Sequence, residues 1–257
     1  MRRMLITALL LTSLVPVAHA AQGMSLRWDA CLAAGGTSNR QFACNTNAGS
    51  EYLFASFALD STVDRVNGMH VVVMLTTASG ALPNWWGVLG VGTCRPNTLS
   101  GSVAPGVEGA QCTNHYTASA AGGIVVSVSN PDWVRWTASY APLGTMTLPA
   151  HQETFALRLA VSHLKTVGAG ACGGCDVPVC IGLQEIWITR DVGAGDVHLY
   201  DELVPGGSTV GWQGPAPSSE LQASGSLGHA WPYRIVHCAA AVPVRNHTWG
   251  SLKSLYH

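Results

Sequence analysis

Hydrophobic and polar positions alternate with a two-residue period over many short segments of the chain, which is the spacing of β-strands. The clearest case is 153–163, where apolar and mainly polar residues take opposite faces: Phe155, Leu157, Leu159 and Val161 against Thr154, Ala156, Arg158 and Ser162. A strand with this pattern has one face on a core and one face toward solvent, as in an antiparallel sheet.

Seven segments bounded by turn residues are predicted as strands: 52–59, 69–77, 123–129, 134–140, 153–163, 178–189 and 197–200. Asn67-Gly68 predicts a turn before the second of them, and Asn130-Pro131 predicts a turn between the third and the fourth. Helical periodicity is nearly absent, and only 248–256 predicts a short C-terminal helix, with Thr248 as its N-cap. The stretch 205–232 is rich in Gly, Pro and Ser and is predicted as a long loop. The pattern favours one all-β domain over 21–257, an antiparallel, jelly-roll-like β-sandwich stapled by disulfides.

The first twenty residues have the order of a secretory signal peptide. Arg2 and Arg3 precede an apolar run that ends in Ala18-His19-Ala20, so cleavage is expected after Ala20. No later stretch of about 18 uninterrupted apolar residues follows, so we expect a secreted product, extracellular or periplasmic, with no membrane attachment.

Charge excludes further classes of partner. Only 11% of the residues are charged, the formal net charge is -1, and Lys and Arg form no run. Nothing in this pattern neutralises phosphates, so nucleic acid is excluded as a partner and a charged membrane surface is disfavoured.

All eight cysteines follow the predicted cleavage site: Cys31, Cys44, Cys94, Cys112, Cys172, Cys175, Cys180 and Cys238. An even number in an exported chain predicts disulfides and no free thiol. Local pairing favours Cys31 with Cys44 and Cys94 with Cys112, and leaves the order among the other four open. Cys172-Gly-Gly-Cys175 has neither the helix start of a redox pair nor the second CxxC of a zinc ribbon, so structural bridges are favoured there.

The remaining motifs give no catalytic signature. The nine histidines after the signal peptide are scattered, without His-x-His or HExxH spacing, so no metal is predicted. There is no Gly-x-Ser-x-Gly elbow, which disfavours a serine esterase. Gly168-Ala-Gly170-Ala-Cys-Gly173 has the letters of a dinucleotide fingerprint but runs into Cys175 and Pro178 instead of a helix, so no cofactor is expected.

Glu185 is the acidic residue in the middle of a predicted strand, and it shares a face with Trp187. An acid beside a ring that stacks on sugar would suit a glycosidase, which needs two carboxylates across a cleft. The same strand has no second carboxylate two or four residues further on. The favoured alternative is a Glu paired with an Arg, such as Arg158, on a neighbouring strand.

Tryptophan is the most unusual component, with nine residues. Trp136 alternates with Val134, Ala138 and Tyr140, which predicts a core position. By contrast, four tryptophans in predicted loops are candidates for an exposed ligand-binding surface: Trp85, Trp86, Trp212 and Trp231. The alternative is that such loop rings fill small satellite cores.

Several segments together resemble a group of uncharacterised secreted bacterial proteins: 165–181 with its three cysteines, Arg27-Trp-Asp-Ala-Cys31, Leu82-Pro-Asn-Trp-Trp86 before Gly92-Thr-Cys94-Arg95, and the ending 248–256. The resemblance covers most of the mature chain and implies bacterial origin and export, but it assigns no catalytic residue. The expected function is therefore that of a non-catalytic protein, either one that binds a ligand, such as an extracellular glycan or a surface protein, or a surface or structural component. The alternative is a secreted glycan hydrolase that uses Glu185.

Overall fold

The computed structural model describes residues 22–78, 80–116, 120–130, 133–214, 218–222 and 233–238. The predicted signal peptide, Trp231 and the predicted helix at 248–256 lie outside the described residues. Within these ranges the regular structure is β, apart from the 3₁₀ helix Asn84–Trp86. None of the described helical structure has the length and apolar character needed to cross a bilayer.

The smaller of two facing sheets has four antiparallel strands in the order β1-β3-β9-β5. These strands are β1 (Gly23–Trp28), β3 (Ser50–Ala58), β9 (Thr154–Ser162) and β5 (Leu99–Ser102). From Leu157 onward, every second side chain of β9 lies in the core, and Leu157, Leu159 and Val161 are all almost completely buried.

The larger sheet has eight strands, and six of them form the order β2-β12-β10-β4-β7-β6, with β11 beside β10 and β8 beside β4. Its strands are β2 (Asn39–Arg40), β4 (Val63–Thr76), β6 (Ala120–Asn130), β7 (Trp133–Pro142), β8 (Met146–Leu148), β10 (Val179–Arg190), β11 (Val197–Leu199) and β12 (Thr209–Trp212). All pairings in it are antiparallel except that of β2 with β12, which is parallel. The two sheets enclose one continuous apolar core, so the predicted all-β, sandwich-like fold is confirmed.

A separate hairpin covers part of the outer face of the larger sheet. It consists of β13 (Ser218–Gln222) and β14 (Tyr233–His237). The disulfide between Cys180 and Cys238 ties it to β10, and Val236 packs against Gly182 so closely that a Cβ on Gly182 would lie 2.1 Å from the Cγ2 of Val236. The outer face of β10 is thus covered at its first residues.

The seven predicted strands are all present, with ends that differ by a few residues. Three local expectations are wrong. Asn67-Gly68 lies inside β4 instead of in a turn, and the predicted loop 205–232 contains β12 and β13. Phe155 leaves the main core because the register between β3 and β9 shifts at Ala55 and Ser56.

Phe155 belongs to a second, small apolar cluster with Phe54, Cys31 and Cys112, separate from the main core. Cys44 and Cys94 pack against the main core instead. The predicted partners therefore lie in different clusters, and both predicted local disulfides are wrong.

The observed bridges join distant parts of the chain: Cys31–Cys112, Cys44–Cys175, Cys94–Cys172 and Cys180–Cys238. No cysteine is free, as the sequence predicts. Four bridges of this kind indicate an oxidising environment.

Candidate functional site

Three of the four tryptophans predicted as an exposed surface are buried. Trp85 and Trp86 form the 3₁₀ helix Asn84–Trp86 and are 0% and 3% exposed, and Trp212 of β12 is 0% exposed. The expectation of an exposed ring surface is therefore wrong for these three, and Trp231 lies outside the described residues. Trp136 is buried, as predicted.

The buried rings pack on one another around Trp212. The centroid of its ring lies 5.0 Å from that of Trp85, 5.4 Å from that of Trp86 and 5.8 Å from that of Trp28. Aromatic pairs at these separations stabilise a core beyond the area that they bury. The segment 82–93 folds inward because its two tryptophans complete this cluster.

Polar contacts hold the cluster in place. The indole N–H of Trp85 donates to Oγ1 of Thr166 at 3.0 Å, and that of Trp212 donates to the carbonyl oxygen of Cys175 at 2.7 Å. The disulfide between Cys94 and Cys172 fixes the chain just after the segment. The wall that contains Trp86 is therefore firmly anchored at its base.

Beside Trp86, a cleft of about 410 Å³ opens between the segment 82–93 and the inner face of the β6–β7 hairpin. Three residues of the hairpin line it, Val126, Val134 and Trp136, together with Leu82, Pro83, Asn84, Trp86, Gly87, Val88, Leu89, Gly90 and Thr93 from the facing segment. No ionisable side chain is among these lining residues.

The cleft exists because the two sheets differ in width. The edge strand β5 reaches the hairpin at Gly101, where a Cβ would lie 2.6 Å from the hydroxyl of Tyr140 and 2.8 Å from Cδ1 of Ile124. Val126 and Val134 lie further along the hairpin, where the segment 82–93 takes the place of a strand. A loop fills such a gap less completely than a strand, and the cleft is the space that remains.

Trp86 also has an unusual buried polar group. Its indole Nε1 is buried and has no hydrogen-bond partner among the described residues. The indoles of Trp28 and Trp187, in contrast, donate to the carbonyl of Gly211 and to a carboxylate oxygen of Asp196. A buried donor without a partner costs about 1–3 kcal/mol, so the group in the cleft wall needs an explanation.

The outer face of the larger sheet contains Glu185, and as predicted Glu185 and Trp187 lie on the same face of β10. The Glu185 carboxylate accepts a hydrogen bond from the Tyr200 hydroxyl at 3.0 Å and lies 2.6 Å from Nδ1 of His198. Burial, with the nearby Glu185 charge, raises the pKa of Tyr200. Arg158 pairs with Glu108 instead, so the suggested pairing of Glu185 with Arg158 is wrong.

Trp187 lies between two imidazoles on this face. Its ring centroid is 4.5 Å from that of His70 and 5.3 Å from that of His198, and both pairs are stacked. His70 in turn lies 2.7 Å from Oγ of Ser139 through its Nδ1. Since both ring faces of Trp187 are occupied, it offers no flat surface to a sugar.

The structure also resolves the role of the CxxC sequence. Cys172 bonds to Cys94 and Cys175 bonds to Cys44, so the two form separate structural bridges. In the part of the chain that the structure describes, no group of three or more His, Cys, Asp or Glu side chains is placed to hold a metal ion.

Sequence reasoning missed most of the cleft. The alternation in 134–140 correctly placed Val134 and Trp136 on one inward face, but it gives no sign that a gap remains above them. Val126 carried no separate signal, because its neighbour Val125 is equally apolar yet points to the other face and is 60% exposed. His198 and Tyr200, the partners of Glu185, lie two residues apart in the short predicted strand 197–200. That pattern gives no sign that they contact Glu185.

Comparison with known proteins adds no assignment: no protein-family model matches the chain, and no curated protein matches it significantly.

Proposed function

We propose that this chain is a secreted, non-catalytic β-sandwich protein that binds a small, uncharged and largely apolar molecule in the cleft beside Trp86. The observation that carries the proposal is the cleft itself, whose walls are two indole rings and aliphatic side chains. Its volume of about 410 Å³ falls in the range of small-molecule sites, which are typically concave and mostly apolar.

The lining determines the class of ligand. A charged ligand would lose its hydration without meeting an opposite charge, because no ionisable side chain lines the cleft. The polar side chains are those of Asn84 and Thr93, which belong to the facing segment. An apolar body with few polar atoms is therefore the ligand that this cleft favours.

The burial of Trp85 and Trp212 removes the support for a glycan on an exposed ring surface. A glycan hydrolase that uses Glu185 also gains no support, because Trp187 beside it is covered by His70 and His198. Secretion is part of the proposal and is supported by the four disulfides and by the signal-like residues 1–20. The jelly-roll topology and the bacterial origin remain predictions.

Fluorescence titration of the purified, disulfide-bonded protein tests the proposal. The uncharged dye N-phenyl-1-naphthylamine should bind at one site, and its sulfonated relative 1-anilinonaphthalene-8-sulfonate should bind at least about tenfold more weakly, a difference of about 1.4 kcal/mol.

The matched variants use two adjacent valines of β6 on opposite faces. Val126→Trp fills the cleft and should abolish dye binding, whereas Val125→Trp, on the outer face, should leave it unchanged. Equal binding by both variants would show that the dye lies elsewhere and would contradict the proposal. Binding of oligosaccharides that survives Val126→Trp would favour a glycan function outside the cleft.

A further inference from the structure

We propose that the cleft ligand carries a hydrogen-bond acceptor of the carbonyl type, which accepts a hydrogen bond from the indole N–H of Trp86. This inference rests on the proposed function, since it names the chemistry of the ligand in the same cleft. Its basis is the buried Nε1 of Trp86, which has no partner among the described residues while the same side chain lines the cleft.

The indole N–H of Trp86 differs from those of the two rings packed on it, because both of the others have an acceptor in the protein. Trp85 and Trp212 pack directly on Trp86, and each donates its N–H to a buried oxygen of the protein. The fold thus supplies acceptors for indoles that face the protein. The indole that lacks one is the member of this trio that borders the cleft.

An acceptor has to gain access to this N–H. Nε1 is closed to solvent, so the indole or the segment beside it must shift when the ligand enters. The tip of that segment, Gly90–Gly92, has positive φ at both glycines, and the Val91 side chain between them is fully exposed. Few contacts therefore oppose a small displacement of this tip, while Cys94 holds the end of the segment in place.

The acceptor must also be uncharged. No basic side chain lines the cleft to neutralise a carboxylate or a phosphate, which would remain buried as an unpaired charge. A ketone, ester, lactone or amide oxygen meets the requirement, because it accepts a hydrogen bond without a formal charge. The ligand class is thus an apolar molecule with a carbonyl group.

A matched pair of probes tests the inference. Benzophenone and 1,1-diphenylethylene have nearly the same shape, but only the first has an oxygen acceptor. The ratio of their dissociation constants is measured in the wild-type protein and in Trp86→Phe, which keeps a ring and removes the N–H. We expect the preference for benzophenone to fall about tenfold in the variant, which is the effect of one neutral hydrogen bond.

Nuclear magnetic resonance gives a second measurement that does not depend on the stability of the variant. The indole N–H signal of Trp86, assigned through its contact with the Trp136 ring, should move downfield with benzophenone and stay in place with 1,1-diphenylethylene. If both probes bind, the ratio is the same in both proteins and the signal does not respond to benzophenone, the inference is wrong and the cleft remains a binding site. If neither probe binds the wild-type protein, the proposed function fails together with the inference.

Discussion

Arg95 is completely buried and has no carboxylate partner among the described residues. Its guanidinium donates to the carbonyl oxygens of Trp85 at 2.7 Å and Leu164 at 2.8 Å, and also to that of Ser162. It lies 3.6 Å above the ring of Trp85, and burial lowers its pKa to about 10. The side chain is therefore still charged at neutral pH, and carbonyl dipoles and one aromatic face stabilise that charge.

Replacing Arg95 by Met should destabilise the protein by about 3 kcal/mol or more, because several buried carbonyl oxygens lose their donor at once. Urea unfolding measures the change. Arg65→Met is the matched control, since the Arg65 side chain is 51% exposed and its change should stay within about 0.5 kcal/mol. Equal stability of the two variants would show that Arg95 contributes little.

Trp212→Ala should lower the free energy of unfolding by about 3–5 kcal/mol, the cost of emptying a buried aromatic site. Its ring contacts Trp28, Trp85, Trp86 and Phe42, so the remaining rings cannot close the space. Val91→Ala, at a fully exposed side chain, should leave the unfolding midpoint unchanged. If Trp212→Ala is as stable as this control, the Trp212 ring does not fill a buried site and the prediction is wrong.

His70 makes stability depend on pH. Burial lowers the pKa of His70 below its ordinary value of 6.5, although Glu185 and Asp196 act in the opposite direction. The unfolded chain binds the proton at a higher pH than the folded protein does, so the free energy of unfolding falls as the pH drops below about 6.5.

His70→Gln removes this proton uptake, and its stability should fall less than that of the wild type between pH 7.5 and pH 5.5, by urea unfolding at each pH. An imidazole signal for His70 that titrates at or above pH 6.5 would contradict the expectation.

At the scale of elements, the β13–β14 hairpin depends on a glycine beneath it. Gly182→Ala would place a methyl group 2.1 Å from the Cγ2 of Val236, so the hairpin must shift, at a cost of about 1–3 kcal/mol. Limited proteolysis should then cut within 218–238 sooner than in the wild type. Gly123→Ala is the control, because no atom lies within 4 Å of its added methyl group. Unchanged cleavage in Gly182→Ala would mean that the hairpin does not rest on β10.

The sequence predicts the strands well where both faces follow a two-residue period, as in β7 and β9. It fails where a local signal competes with the sheet. Asn67-Gly68 is a strong turn signal, but β4 continues past it, because Val66 still pairs with Arg190 of β10 and with Met146 of β8. The cleft was not predictable either, since it results from the different widths of two sheets whose strand order no local pattern encodes.

For the whole molecule, three of the bridges join one loop to another, and the fourth joins β10 to the end of β14. A peptide map under non-reducing conditions should find the Cys31 peptide joined to that of Cys112 and the Cys44 peptide joined to that of Cys175. Removing the second bridge by Cys44→Ser with Cys175→Ser should cost about 2–5 kcal/mol, measured by urea unfolding. A Cys31 peptide joined to Cys44 would contradict the observed topology.

The same connectivity has a consequence for the order in which the chain oxidises. When the chain is exported with its N-terminus first, Cys31, Cys44 and Cys94 all reach the oxidising compartment before Cys112. Cys112 is the first residue that can complete a native bridge. Cys44 and Cys94 must then wait for Cys175 and Cys172. The neighbours in sequence, Cys31 and Cys44, meet first, and a bond between them is non-native. Disulfide exchange takes seconds to hours without an isomerase, so we expect a disulfide isomerase to accelerate the maturation of this protein.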